Sequence, residues 1–257
     1  MKLRLFTASI LFQLSILSLL AAEPGMMFIP GGTFFRGRSH ELPDDGLKWV
    51  PTLLKDDRPV RRIIVDPFYL DKYEVTNQQY LIFIKATGRA APYYWSGTKP
   101  AANLANYPVV NINWEEAFAY CTWLERRLPT EAEWERASRG LRERGTYPWG
   151  NDSPTKDLAR FDRMDGPGDV GLFPENYFGL CDMAGNVWEW CSDWYEKNYY
   201  EHAPEKNPLG PEEGRYRVLR GESWADAPKY LTCAYRSFTR PTELSPNIGF
   251  RCAKSFP

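Results

Sequence analysis

The chain has 257 residues, with 32 basic against 33 acidic side chains and a net charge of −1. That balance excludes a basic nucleic-acid footprint and a polybasic membrane patch. With 15% aromatics, 19 glycines and 21 prolines, the composition predicts one large, loop-rich domain rather than long helices around a regular sheet.

Lys2 and Arg4 precede a mostly apolar run over 5–20, and Ala21 and Ala22 follow. A charged start, an apolar middle and small residues read as a signal peptide over 1–22, which would leave 23–257 as an exported domain in the periplasm or outside the cell. The run is short for a spanning helix and is interrupted by Thr7, Ser9, Gln13 and Ser15, so no membrane anchor is expected after cleavage. Residues 27–35 alternate into a Gly31-Gly32 turn and predict a strand. The polar, proline-containing stretch 39–57 reads as a surface loop, and 61–69 as a β-branched strand. Thr76-Asn77 opens an amphipathic helix with Tyr80, Phe83 and Ile84 on one face and Gly88 as its stop. Asn113 caps a helix over 114–125. Thr130 and Glu133 form a capping box for a helix that ends before Gly140. Beyond Gly140 loops dominate, with strands expected at 216–220 and 248–253. The sum is a mixed α+β domain.

The stretch 179–190, GLCDMAGNVWEW, has neither helical nor strand period. It holds Asp182 and Glu189 around Ala184-Gly185-Asn186, with Trp188 and Trp190 beside them. Two readings suit it. One is a loop held by a hard cation such as Ca²⁺, which takes carboxylate and carbonyl oxygens. The other is an Asx-type turn beside a tryptophan-rich core. The two histidines, His40 and His202, exclude a three-histidine metal site within one chain, and neither lies in a nucleophile motif. Cys121, Cys181, Cys191, Cys233 and Cys252 all lie after the leader. An oxidising compartment favours disulfides, and an odd count leaves at least one thiol over.

Seven motifs occur in one order: Pro30-Gly31-Gly32, DKYEVTN at 71–77, PVVNINWEEA at 108–117, RLPTEAEWE at 127–135, DMAGNVWEW at 182–190, RVLRGESW at 217–224 and NIGFRCA at 247–253. Together they resemble the formylglycine-generating enzyme, or sulfatase-modifying factor, family over nearly all of 23–257. The resemblance implies an atypical C-type-lectin-like α+β fold with little regular secondary structure. It also implies calcium held by the Asp182 side chain, the Gly185 and Val187 carbonyls and the Glu189 carboxylate. Glu74 matches a further acidic position linked to metal in some members. Arg160 stands where a second calcium loop would supply Asn, and that loop is shortened around 162–169, so no second site is expected.

True formylglycine generators hold copper with two cysteines, three and eight residues after the Ser of a Gly-Gly-Ser-aromatic motif. Here the motif reads Gly221-Glu222-Ser223-Trp224, and Asp226 and Leu231 take those two places. Thiolates select Cu(I); a carboxylate and a leucine do not. The family also implies a Cys121–Cys252 disulfide. The usual partner of Cys233 is replaced by Ser138, so Cys181 and Cys191 could pair with each other, one of them could pair with Cys233, or Cys181 could stay a buried thiol. Ergothioneine-type members use histidines and an extra domain that this chain lacks, exported pyoverdine-chromophore oxidases dispense with the copper cysteines, and a third group is catalytically silent. The expectation is therefore an exported oxidative maturation enzyme acting on a peptide, protein or metabolite, with its redox metal unassigned. Trp188, Ser223, Trp224, Arg236 and Asn247 would line its cleft, and Asp226 would be its base. The alternative is a non-catalytic binding or assembly module that uses the same cleft.

Overall fold

The computed structural model describes residues 23–41, 55–142 and 144–257. The expected leader over 1–22 and most of the loop over 39–57 fall outside them. Among the described residues the strands form three sheets. The first has the order β1 (Met26–Ile29), β4 (Phe68–Asp71), β9 (Ala253–Ser255), all antiparallel. The second pairs β2 (Gly32–Arg36) with β3 (Arg61–Val65). The third has the order β7 (Ser237–Thr239), β6 (Arg217–Arg220), β5 (Trp188–Trp194), β8 (Ile248–Gly249), with β5 and β8 parallel. No helix among the described residues is long and apolar enough to cross a membrane.

Three expected strands divide in two. Residues 27–35 break at Pro30-Gly31, so that β1 and β2 join different sheets. A Cβ on Gly31 would lie 2.7 Å from the Pro67 nitrogen, so the close crossing there needs glycine. Residues 61–69 break at Asp66-Pro67, where proline offers no ladder donor. Residues 248–253 break at Phe250, Arg251 and Cys252, all fully buried between β8 and β9. Conversely, 188–194 forms a central strand that no alternation announced. Its first four residues are all buried, so both faces pack and the period of two disappears.

The helices follow their caps. α1 (Asn77–Thr87), α2 (Trp114–Trp123) and α3 (Glu131–Arg139) each begin at a reciprocal capping box, made by Thr76 with Gln79, Asn113 with Glu116 and Thr130 with Glu133. α1 stops at Gly88, whose φ of 70° suits glycine. A short α4 (Tyr199–His202) follows β5. Tyr80 and Phe83 of α1 and Tyr120 of α2 pack with Trp190 and Phe250 in one core, and Trp134 of α3 anchors a second with Ile29, Ile63 and Leu70. Cys121 and Cys252 are disulfide-bonded with their Cα atoms 5.7 Å apart, tying α2 to the segment before β9 across 131 residues. In the chain-entropy account such a link contributes about 2–4 kcal/mol. Cys181, Cys191 and Cys233 are free and buried, which agrees with the buried-thiol alternative for Cys181. Ser138 and Cys233 meet through an Oγ–Sγ hydrogen bond of 3.1 Å.

Candidate functional site

β5 and β6 run antiparallel with Glu189 opposite Arg220. The loop entering β5 and the loop leaving β6 therefore meet at one end of the sheet. Two backbone bonds lock them together, Gly185 N–H to Gly221 O at 2.7 Å and Trp224 N–H to Asn186 O at 2.8 Å. Asp182, Gly185, Asn186 and Glu222 all have positive φ, between 56° and 82°. Gly185 has no alternative, since a Cβ there would lie 2.3 Å from the Arg160 carbonyl oxygen.

The expected calcium residues divide into two kinds. Glu189 is fully buried, and donors already meet both of its oxygens. Arg251 donates through Nε and Nη2 at 2.7 Å each, and the Trp134 indole donates at 2.8 Å. Arg251 also caps the Asp71, Lys72 and Cys181 carbonyls. Asp182 and Glu74 are different. Asp182 Oδ2 accepts from the Gly171 N–H at 2.6 Å, and Glu74 Oε2 accepts from Asn186 at 3.2 Å. Glu74 Oε1 is buried with no hydrogen-bond partner. Burial and mutual repulsion push the Glu74 carboxyl up, and burial pushes Asp182 to about 6. An orphaned oxygen beside a second acid is what a hard cation would relieve, and in this respect the donors fit calcium. Glu189 Oε1 accepts from Arg251 alone, which leaves it one lone pair for a cation. Among the described residues no three His, Cys, Asp or Glu side chains form a group suited to a metal ion, so backbone carbonyls would have to complete the shell. Arg160 fills the place of the second calcium loop, with its guanidinium on Asp165 and the Gly166 carbonyl.

The expected cleft residues largely come together. Asp226 Oδ2 accepts from the Ser223 N–H at 2.8 Å and from the Ser223 hydroxyl at 2.6 Å. Asn247 Nδ2 reaches Ser223 Oγ at 3.4 Å, and Trp224 Nε1 reaches the Pro246 carbonyl at the same distance. The Trp188 N–H is bonded to the Asn247 carbonyl, while its ring is buried 6.3 Å from that of Tyr235. Trp188 therefore serves the core as well as the site. Arg236 stands apart from the set. Its guanidinium is buried on Glu131, at 2.6 and 3.0 Å, and on the Asp56 carbonyl. Asp226 and Leu231, the positions where the resemblance implies copper thiolates, differ in their surroundings. Leu231 is fully buried in an apolar cluster with Phe161 and Ala184, and Asp226 is engaged with Ser223.

One residue of the site was missed. Glu222 is fully buried at φ 56°, and neither carboxylate oxygen has a hydrogen-bond partner among the described residues. Burial drives its carboxyl well above the ordinary range. Arg220 opposes that shift and Asp226 adds to it. The available signal was a charged side chain at the second glycine position of the Gly-Gly-Ser-aromatic pattern.

Comparisons with known proteins agree with this fold. A family model described as "Sulfatase-modifying factor enzyme 1-like domain" matches residues 18–256. A formylglycine-generating enzyme of Thermomonospora curvata is 34% identical over 89% of this chain and 93% of its own length. The serine/threonine-protein kinase Pkn1 of Chlamydia trachomatis is 37% identical over 89% of this chain, which spans only 38% of that protein. The solved structure of PvdO from Pseudomonas aeruginosa superposes with a TM-score of 0.74 at 27% identity, covering 90% of this chain and 94% of that one.

Proposed function

Because the chain belongs to the sulfatase-modifying factor family, we propose that it is an exported enzyme of that family that oxidatively modifies a peptide, protein or metabolite without the two-thiolate copper centre. The observation that carries this reading is the hydrogen-bonded set Ser223–Asp226–Asn247, with the unpartnered Glu222 directly behind it. Structural residues satisfy their polar groups when buried; a carboxyl left without partners at a strained backbone position is a feature of working sites. Asp226 is the base of the set, placed to take a proton through Ser223 Oγ or from a substrate held by Asn247. Trp188 and Trp224 wall the site. Calcium, held by Asp182 and Glu74 with loop carbonyls, would neutralise the buried acids and fix the loop between 182 and 189. It would not take part in the chemistry.

Two measurements test this. The purified mature protein is offered peptide thiols and phenolic or amine metabolites while oxygen uptake and substrate mass are followed. Turnover that falls about 100-fold or more in Asp226→Asn supports the enzyme reading. Binding of a substrate with no mass change and no oxygen uptake replaces it with a non-catalytic binding module. For the calcium, metal analysis should find the ion, and chelation should lower Tm by about 5–10 °C, the loss expected when a ligand present at about 100 times its Kd is removed.

A further inference from the structure

The opposite end of the four-stranded sheet carries a second concavity. Two hollows of about 720 and 580 Å³ share Ser192, Asn207 and Leu209 in their walls, and each falls in the size range of small-molecule sites. Arg217 of β6 lines the larger one. Its guanidinium carbon lies 3.4 Å from the Trp194 ring centroid and 3.7 Å from that of Trp114. Phe118 extends the stack, 5.2 Å from Trp114 and nearly parallel to it. With both faces covered by indole, the guanidinium can form hydrogen bonds only along its edge. One nitrogen, Nη1, donates to the Ser192 carbonyl, while Nε is buried with no partner. No carboxylate pairs with Arg217 among the described residues. Burial lowers its pKa to about 10, which leaves it charged at neutral pH.

Of the acids around it, the buried Asp193 acts on Arg217 by charge but forms no ion pair with it among the described residues. Arg127 is bidentate on Glu133, and His202 lies 3.4 Å from Glu196. Glu212 lies exposed in the wall of the larger hollow. Two apolar side chains stand open in the walls, Leu209 at 67% exposure in both hollows and Phe118 at 45% in the smaller one. A dehydrated, stacked guanidinium next to open apolar surface is complementary to an anion with an apolar body.

We propose that the two adjoining hollows bind one carboxylate-bearing ligand, its carboxylate on the Arg217 edge in the larger and its apolar body running past Leu209 towards Phe118 in the smaller. Either a small organic acid or the C-terminal carboxylate of a peptide supplies that chemistry. The site lies apart from the Ser223–Asp226 cluster and does not depend on the function proposed for it.

Trp114 and Trp194 make tryptophan fluorescence a direct readout. The purified protein is titrated with octanoate, octylamine, N-acetyl-Leu-Phe and the amide of that peptide. The expected result is binding of octanoate or the peptide acid, with the amine and the amide more than tenfold weaker. Which of the two acids binds more tightly identifies the source of the carboxylate. Arg217→Gln should weaken acid binding more than tenfold, and Arg217→Lys should not restore it. Leu209→Asp, at an exposed position that tolerates change, should weaken it similarly and covers the case in which the Arg217 variants fail to fold. Equal binding of acid and amide, no binding of any probe to the folded wild type, or unchanged binding by Leu209→Asp would each overturn the proposal.

Discussion

Glu189 and Glu222 stand at the ends of neighbouring strands, both completely out of solvent, and their surroundings are opposite. Three charged or polar N–H donors meet the oxygens of Glu189, and none meets those of Glu222. A carboxylate without water costs several kcal/mol unless pairing and hydrogen bonds compensate it. Arg251 provides that compensation for Glu189, and in doing so it also ties down the carbonyls of two other segments. Glu222 has only the opposing charge of Arg220, with no hydrogen bond, and its backbone is strained as well. Burial of an acid therefore does not by itself assign it a role. Glu189 is tied into the framework, and Glu222 stands unpaired beside the site proposed above.

The sharpest way to break the contrast is Arg251→Met. It strands Glu189, and unfolding measured by denaturant should show a loss of about 3–5 kcal/mol. A loss below 1 kcal/mol would mean that Glu189 is no better supported than Glu222. Trp134→Phe removes one donor and part of a packed ring, with an expected loss of about 2 kcal/mol. Glu222→Gln should move the other way, with a gain of about 1 kcal/mol at neutral pH in the same unfolding assay. The sign follows from linkage. A carboxyl whose pKa is raised on folding binds more protons in the native state, so wild-type stability falls as pH rises above the unfolded value of about 4.3. The glutamine variant lacks that fall, so its advantage should widen from pH 5 to pH 8. A constant difference over that range would show that the Glu222 carboxyl titrates normally.

Sequence made the helices legible because their signals are local. Thr76, Asn113 and Thr130 each carry a Gln or Glu three residues on, and each forms the box. The disulfide and the cluster of Ser223, Asp226 and Asn247 followed from ordered motifs. The strands were harder. A continuous β-rich run says nothing about a break at Asp66-Pro67 that sends its halves to different sheets, and Trp188–Trp194 has no alternation because both faces are buried. Partners distant in sequence were invisible as well. Arg251 lies 62 residues from Glu189, and only the fold brings them together. Arg236 reads as a cleft cation from its place in the motif order, but Glu131, 105 residues earlier, claims it.

The three-stranded sheet has a consequence for how the chain can be made. β4 is flanked by β1 on one side and β9 on the other, and Cys252 and Arg251, just ahead of β9, close contacts to Cys121, Asp71 and Glu189. Among the described residues the first and last strands thus share a neighbour, and the central acid is neutralised by Arg251, 62 residues after it. During vectorial synthesis the domain cannot close until the stretch 251–255 has emerged, because the pairings of greatest sequence separation are also those that complete the core. A shortened chain ending before Arg251 would keep its helix caps and hold an unpaired edge and an uncompensated buried charge.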